Sequence, residues 1–265
     1  MSTSETEDRS GDRELRAFLR DVTRRAGTLQ LERYQDPGEI REKSPKDLVT
    51  EVDLLCEELL ISEISARYPE DAILSEERGG KISSSGRTWL IDPVDGTANY
   101  SRGNPMFCAC VSIVEDEEVT HAAVAIPKLD EVYHVRRGAG AYRNEERLSV
   151  SNTALLEDSL IGADMSFGRI SSSSSPGIGE TVRSGWQLRS TGSAGVRGAW
   201  VAAGHLDLSL GTRNTVWDYA PTALLVSEAG GRVTDLAGEP WRFDSDGMVA
   251  TNGRIHDEVL ELLNG

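Results

Sequence analysis

The segment Trp89-Leu90-Ile91-Asp92-Pro93-Val94-Asp95-Gly96-Thr97 constrains the fold more than any other. An apolar run ends in two carboxylates three residues apart, and Gly-Thr follows at once. The run reads as a buried strand with Asp92 where it emerges. Pro93 fixes φ, offers no N–H and holds Asp92 extended. The strand is therefore expected to stop there, with Asp92 and Asp95 facing one pocket across a tight turn and the Val94 carbonyl between them. Gly96 and Thr97 are expected to open a helix, whose first N–H groups lack intrahelical partners and suit a phosphate. Clustered hard oxygens beside an anion site point to magnesium and a phosphate ester. Taken alone, Asp-Pro-x-Asp-Gly suits a surface turn equally well, although such a turn needs no buried strand feeding it.

Three further segments favour the functional reading: Asp47-Leu48-Val49-Thr50-Glu51-Val52-Asp53, preceded by Lys43; Ile73-Leu74-Ser75-Glu76-Glu77; and Val216-Trp217-Asp218-Tyr219-Ala220-Pro221, opening an apolar helix that ends at Ala229-Gly230-Gly231. In this order the four segments resemble the inositol monophosphatase family of magnesium-dependent, lithium-sensitive sugar phosphatases. Its superfamily includes fructose-1,6-bisphosphatases and 3′-phosphoadenosine 5′-phosphate phosphatases. The resemblance runs from about Leu15 to the C-terminus.

The resemblance implies a layered αβαβα sandwich, of α+β or α/β class, with its site between two halves. It implies that Glu76, Asp92 and the Val94 carbonyl bind one magnesium ion. Asp92 would bridge to a second ion held by Asp95 and Asp218, and a weaker third would sit near Glu76. Asp53 and Thr97, with Glu76 as the third catalytic group, would orient and deprotonate the attacking water. Asp95, Gly96 and Thr97 would border the phosphate, and Gly192-Ser193-Ala194 would contact the sugar. Lys43 would ride on a mobile loop near the third ion, although its spacing to Asp47 is one residue shorter than the family pattern. The family's inositol-binding glutamate is missing, and Ser209 stands nearest its expected position. Arg213 then suits a second phosphate, held bidentately, which favours fructose 1,6-bisphosphate or a phosphonucleotide; a plain surface arginine is the equal alternative. A homodimer is common among such relatives.

Each ligand also has an ordinary reading: Asp53 as a solvated helix acid, Glu76 and Glu77 as a charged strand end, Asp218 as a helix cap, Lys43 as a loop lysine. A haloacid-dehalogenase-type phosphatase also carries Asp-Gly-Thr after an apolar strand. It places one residue between its aspartates, however, where Pro93 and Val94 intervene here. A regulatory interaction protein is a third class, since some bacterial relatives act on the transcription machinery.

The net charge is −16 over 265 residues. Of 28 basic residues only Lys43, Lys46, Lys81 and Lys128 are lysine, leaving 28 − 4 = 24 arginines. Abundant acid with scarce lysine resembles proteins of salt-in halophiles, because a carboxylate surface stays soluble when salt screens it; an acidic mesophile protein is the rival reading. The charge argues against nucleic-acid binding, which needs Lys and Arg clusters. It does not argue against a small phosphate, since bound cations reverse the local sign. Cys56, Cys108 and Cys110 lack metal-site spacing and read as core residues. His121, His134, His205 and His256 are scattered and read as structural or exposed. A polar N-terminus and the lack of long apolar runs predict a soluble, cytoplasmic protein with no membrane partner.

Residues 1–12 read as a disordered tail, residues 13–150 as an α+β half carrying most metal ligands, and residues 151–265 as an α/β half carrying the substrate segment and Asp218. Helices are expected over 13–34, 50–68, about 194–203, 217–229 and 256–263, with strands across 106–150. Residues 36–46 and 79–87 read as loops, and so does the serine-rich stretch 168–180.

Overall fold

The computed structural model describes residues 3–45, 47–163, 176–212 and 216–265. The first helix, α1 (Thr3–Glu32), is followed by the hairpin β1 (Ile40–Ser44) and β2 (Asp47–Thr50), then α2 (Glu51–Arg67). An eight-stranded sheet comes next: β3 (Ala72–Ser75), β4 (Gly79–Gly80), β5 (Arg87–Asp95), β6 (Cys108–Glu115), β7 (Glu118–Ile126), β8 (Glu131–Arg136), β9 (Gly140–Arg143) and β10 (Glu146–Arg147). Its spatial order is β10-β9-β8-β7-β6-β5-β3-β4, antiparallel except where β3 runs beside β5. The short helix α3 (Thr97–Tyr100) follows β5 directly. The rest of the chain forms β11 (Leu160–Ala163), α4 (Pro176–Ser184), β12 (Gln187–Arg189), α5 (Ala194–Ala202), β13 (Leu208–Gly211), α6 (Val216–Glu228), β14 (Arg232–Thr234), β15 (Met248–Thr251) and α7 (His256–Asn264). Its sheet has the order β12-β11-β13-β15-β14.

The layers follow from which face each strand residue presents. Along β6, Ala109, Val111 and Ile113 join Leu15, Leu19, Val22 and Ala26 of α1 and Leu60 and Ile64 of α2 in one core. The alternate residues Cys108 and Cys110 face the opposite way, into a core shared with Val196 and Ala199 of α5 and Leu224 and Leu225 of α6. A strand buried on both faces is mostly apolar, as β6 is from Cys108 to Val114 with Ser112 the exception. Helices α5 and α6 also cover the inner face of the second sheet, while Ile178 of α4 and Val259 of α7 pack with Leu208, Leu210 and Val249 on its outer face. The result is the layered αβαβα sandwich, with α5 and α6 as the central layer. No helix among the described residues is long and apolar enough to cross a membrane.

Several elements depart from the sequence expectation. Pro93 does not end the strand: β5 runs on to Asp95, and the proline sits in a bulge where pairing positions three residues apart on β5 face positions two residues apart on β6. A bulge is where a strand tolerates a missing N–H. The stretch assigned to a disordered tail is helical from Thr3, and Asp12 ties it to the first sheet through Arg136 (2.6 Å) and His121 (3.1 Å). The 36–46 loop contains strand β1, so Lys43 lies on a hairpin strand. Of the serine-rich stretch, residues 168–175 lie outside the described residues, and residues 176–180 open α4, with Pro176 at its start where a missing N–H costs nothing. Strand β12, with all three residues exposed, had no apolar pattern to announce it.

Candidate active site

The bulge assembles the site. Asp92 pairs with Cys110 and Asp95 with Cys108, so both aspartates lie on the face of those cysteines. On a regular strand, residues three apart would face opposite ways. The extra residue restores Asp95 to the side of Asp92, toward α5 and α6. Asp218, in the first turn of α6, comes down on the same point, and one oxygen from each of Asp92, Asp95 and Asp218 lies within 4.8 Å of the others.

Each carboxylate is held. The Val94 N–H donates to Asp92 Oδ1 (3.0 Å). Asp95 accepts from Ser193 Oγ (2.6 Å), from the Gly195 N–H (2.6 Å) and from the Ala194 N–H (3.2 Å). These donors form the N-terminus of α5, whose dipole favours a negative group. Burial, then the charges of Glu76, Asp218 and Asp95, pushes the Asp92 carboxyl well above the usual carboxylate range. Three converging acids cannot all ionise at low cost without a cation between them. The donor set is all oxygen and all hard, and fits magnesium rather than a soft metal.

A second group faces this cluster. Asp53 closes a capping box at the start of α2, accepting from the Thr50 N–H (2.9 Å) and the Thr50 hydroxyl. Its other oxygen accepts from Thr97 Oγ1 (2.9 Å), which lies equally 2.9 Å from the Val94 carbonyl. Burial raises the Asp53 carboxyl to about 6; the bonds from Thr50 and Thr97 oppose the rise and the Glu76 charge adds to it. A helix-capping carboxylate is thus carried toward neutrality by its burial.

Glu76 follows β3 and is anchored by its N–H to the Ile91 carbonyl (3.1 Å). Its side chain lies outside the three-carboxylate group and binds Lys43 Nζ (2.8 Å), which also reaches Glu77 (2.7 Å). Burial raises the Glu77 carboxyl to about 7, against the pull of Lys43. Gly96 caps α3 at φ 93°, and a Cβ there would stand 2.9 Å from the Met106 carbonyl and 3.3 Å from that of Gly192. Gly192 itself has φ 70° and lies against Asn99. The 96–99 and 191–195 segments therefore meet closely, which brings Gly192, Ser193 and Ala194 beside the acids. Ser209 is buried and accepts from Arg197 Nε (3.0 Å). Arg213 lies outside the described residues.

The profile of the inositol monophosphatase family matches residues 12–264. The chain belongs to the inositol monophosphatase family. It is 34% identical to the fructose-1,6-bisphosphatase/inositol-1-monophosphatase of Thermotoga maritima, covering 92% of this chain and 93% of that one. It is 35% identical to the histidinol-phosphatase of Mycobacterium tuberculosis over 82% of this chain and 84% of that one. The solved Thermotoga maritima IMPase superposes with a TM-score of 0.86 at 32% identity, covering 94% of this chain and 96% of that chain. Members of this family are phosphatases, so the chain is a phosphoric monoester hydrolase.

In this family member three features of the site escape sequence reading. Asn99 Nδ2 bridges the Met106 (2.6 Å) and Thr191 (2.7 Å) carbonyls and so ties the two halves together at the site. Arg197 is a fully buried cation on α5, four residues after Ser193 and thus on the same helical face. Cys108 lies 3.4 Å from Asp95 Oδ2. The signals were there in the i, i+4 spacing and in the alternation along β6, but neither names a partner until the layers are stacked.

Proposed function

We propose that the protein hydrolyses a small phosphate monoester, inositol 1-phosphate or a related sugar phosphate, by direct attack of water with no covalent enzyme intermediate. The observation that carries this reading is the convergence of Asp92, Asp95 and Asp218 opposite the Asp53–Thr97 pair. Asp92, Asp95, Asp218, Glu76 and the Val94 carbonyl would hold two magnesium ions, with a third near Glu76. Bound there, magnesium neutralises the phosphoryl oxygens and makes water more acidic.

The chain's own groups do the rest. The attacking water donates to Thr97 Oγ1 while the Thr97 hydroxyl donates to Asp53, so the water proton leaves along that pair as the new P–O bond forms. The bond to the alcohol oxygen breaks, that oxygen takes a proton from solvent water, and Asp53 returns its proton to solvent as alcohol and inorganic phosphate leave. Gly96 and Thr97 present the free N–H groups of a helix start to the phosphate. Gly192, Ser193 and Ala194 border the sugar side, with Ser209 behind them.

A bisphosphate is the second reading, favoured by the relative named for both fructose-1,6-bisphosphatase and inositol-1-monophosphatase activity. Phosphate release in molar KCl with magnesium, from inositol 1-phosphate, fructose 1,6-bisphosphate, 3′-phosphoadenosine 5′-phosphate and histidinol phosphate, separates the readings. Preference for inositol phosphate, unchanged in Arg213→Ala, supports the first. A dominant bisphosphate activity that falls in Arg213→Ala replaces it with the second, and no release from any ester, with or without magnesium, rejects both.

A further inference from the structure

Beneath Asp95 lies a group of soft donors that the phosphatase reading does not use. Cys108 Sγ and Cys110 Sγ are 3.7 Å apart, Cys108 Sγ is 3.4 Å from Asp95 Oδ2, and the three ligand atoms lie within 4.8 Å of one another. Ser193 Oγ completes the surround, 3.5 Å from Cys108 Sγ. Both cysteines are fully buried and unoxidised. Gly195 makes the cradle: a Cβ there would stand 2.5 Å from Cys110 Sγ, 2.8 Å from Cys108 Sγ and 3.0 Å from Asp95 Oδ2. The bare glycine is what lets α5 close over two sulfurs and a carboxylate.

Two of the three spacings are those of a metal's coordination tetrahedron, and the third lies within 4.8 Å. With Zn–S near 2.3 Å and Zn–O near 2.1 Å, tetrahedral angles put two sulfurs about 3.8 Å apart and sulfur and oxygen about 3.6 Å apart. The distances here are 3.7 and 3.4 Å. We propose that Asp95, Cys108 and Cys110 form a site for one thiophilic dication of the zinc and cadmium type, and that its occupation inhibits the enzyme. Binding releases the two thiol protons to solvent and leaves a neutral dithiolate–metal unit plus the Asp95 carboxylate. Asp95 stands in both groups, beside Asp92 and Asp218 on one side and the two thiols on the other. Because Asp95 belongs to both donor sets, a metal drawn to the thiolates takes Asp95 from the magnesium cluster. Thiolates prefer the softer ion and carboxylates the harder one, so the sites are distinct in chemistry though they share one residue.

The inhibitory consequence rests on the proposed magnesium site; the binding does not, and the experiment separates them. Cadmium is titrated into the folded, magnesium-free protein while its thiolate-to-metal charge-transfer absorbance is followed in the ultraviolet. The proposal expects one cadmium per chain in wild type and in Cys56→Ala, which removes the third thiol. The band is lost in Cys110→Ala, with folding checked by circular dichroism and thermal melting. In turnover assays Cys110→Ala keeps its magnesium-dependent rate and needs at least ~10-fold more cadmium for half inhibition. No band in the folded wild type, a band only after unfolding, or a band that depends on Cys56 overturns the site. A band without inhibition, in a protein that hydrolyses esters with magnesium, removes the link to Asp95. Failure of all hydrolysis with the band intact counts against the magnesium reading alone.

Discussion

Asp53→Asn should make the metal-free protein more stable in alkali while removing its activity. The Asp53 carboxyl is raised from 3.8 to about 6, chiefly by burial. A raised acid binds its proton more tightly folded than unfolded, so its ionised form costs stability. The cost is absent below pH 3.8, grows through the window up to about 6, and is complete above it. Evaluated from those two values, it is about 1 kcal/mol at pH 4.5 and about 3 kcal/mol at pH 8. Asparagine keeps an oxygen for the cap at Thr50 but puts an NH2 where Asp53 accepts from Thr97, forfeiting a hydrogen bond worth ~1 kcal/mol at both pH values. The variant's stability relative to wild type should thus rise by about 2 kcal/mol between pH 4.5 and pH 8, from near parity to a clear advantage. Urea melts in chelator at the two pH values measure this. Hydrolysis with magnesium restored should fall by ~10²–10⁴ if Asp53 accepts the water proton. A stability difference that does not change with pH would refute the burial argument, and undiminished turnover would refute the role.

Other expectations follow from single contacts. In Gly198→Ala the new Cβ would lie 2.0 Å from Thr222 Oγ1, forcing α5 from α6 at about 1–3 kcal/mol and lowering turnover with Tm, since those helices position Asp95 and Asp218; an unchanged Tm in thermal melts would contradict the packing. Asn99→Ala leaves the Met106 and Thr191 carbonyls without their shared donor, for about 1–3 kcal/mol by urea melts; a loss under ~0.5 kcal/mol would show that the bridge is dispensable. The −16 net charge predicts that Tm climbs with KCl well past the range where screening of ordinary proteins is complete; a flat Tm from low to molar salt would remove the halophile reading.

The parts of this fold that could be read in the sequence were those where one periodicity held. The stripe Leu15, Leu19, Val22 and Ala26 gave its helix a face, and the apolar run of β6 gave its strand two. The candidate acids stood out because each borders a strong element: Asp92 and Asp95 end β5, Glu76 follows β3, Asp53 and Asp218 lie in first turns of helices. What brings Asp92 and Asp95 together was not legible. Pro93 reads locally as a stop, and only pairing with β6 converts it into a bulge that turns Asp95 to the other face. Lys43 read as a loop residue because Pro45 and Gly38 punctuate its surroundings, yet β2 supplies a partner strand and Glu76 and Glu77 supply counter-charges. Arg197 and the cysteine pair were hidden for the same reason: their chemistry depends on neighbours from other layers.

The central claim is that Asp92, Asp95 and Asp218 form one magnesium site on which hydrolysis depends. The most direct measurement is the magnesium dependence of phosphate release from inositol 1-phosphate by wild type, Asp92→Asn and Asp218→Asn, each confirmed folded by circular dichroism. The account predicts no release by wild type in chelator, saturable activation by magnesium, and a loss of at least ~100-fold in both variants that excess magnesium does not fully restore. Wild-type turnover that persists in chelator, or either variant matching wild type at the same magnesium concentration, would contradict it.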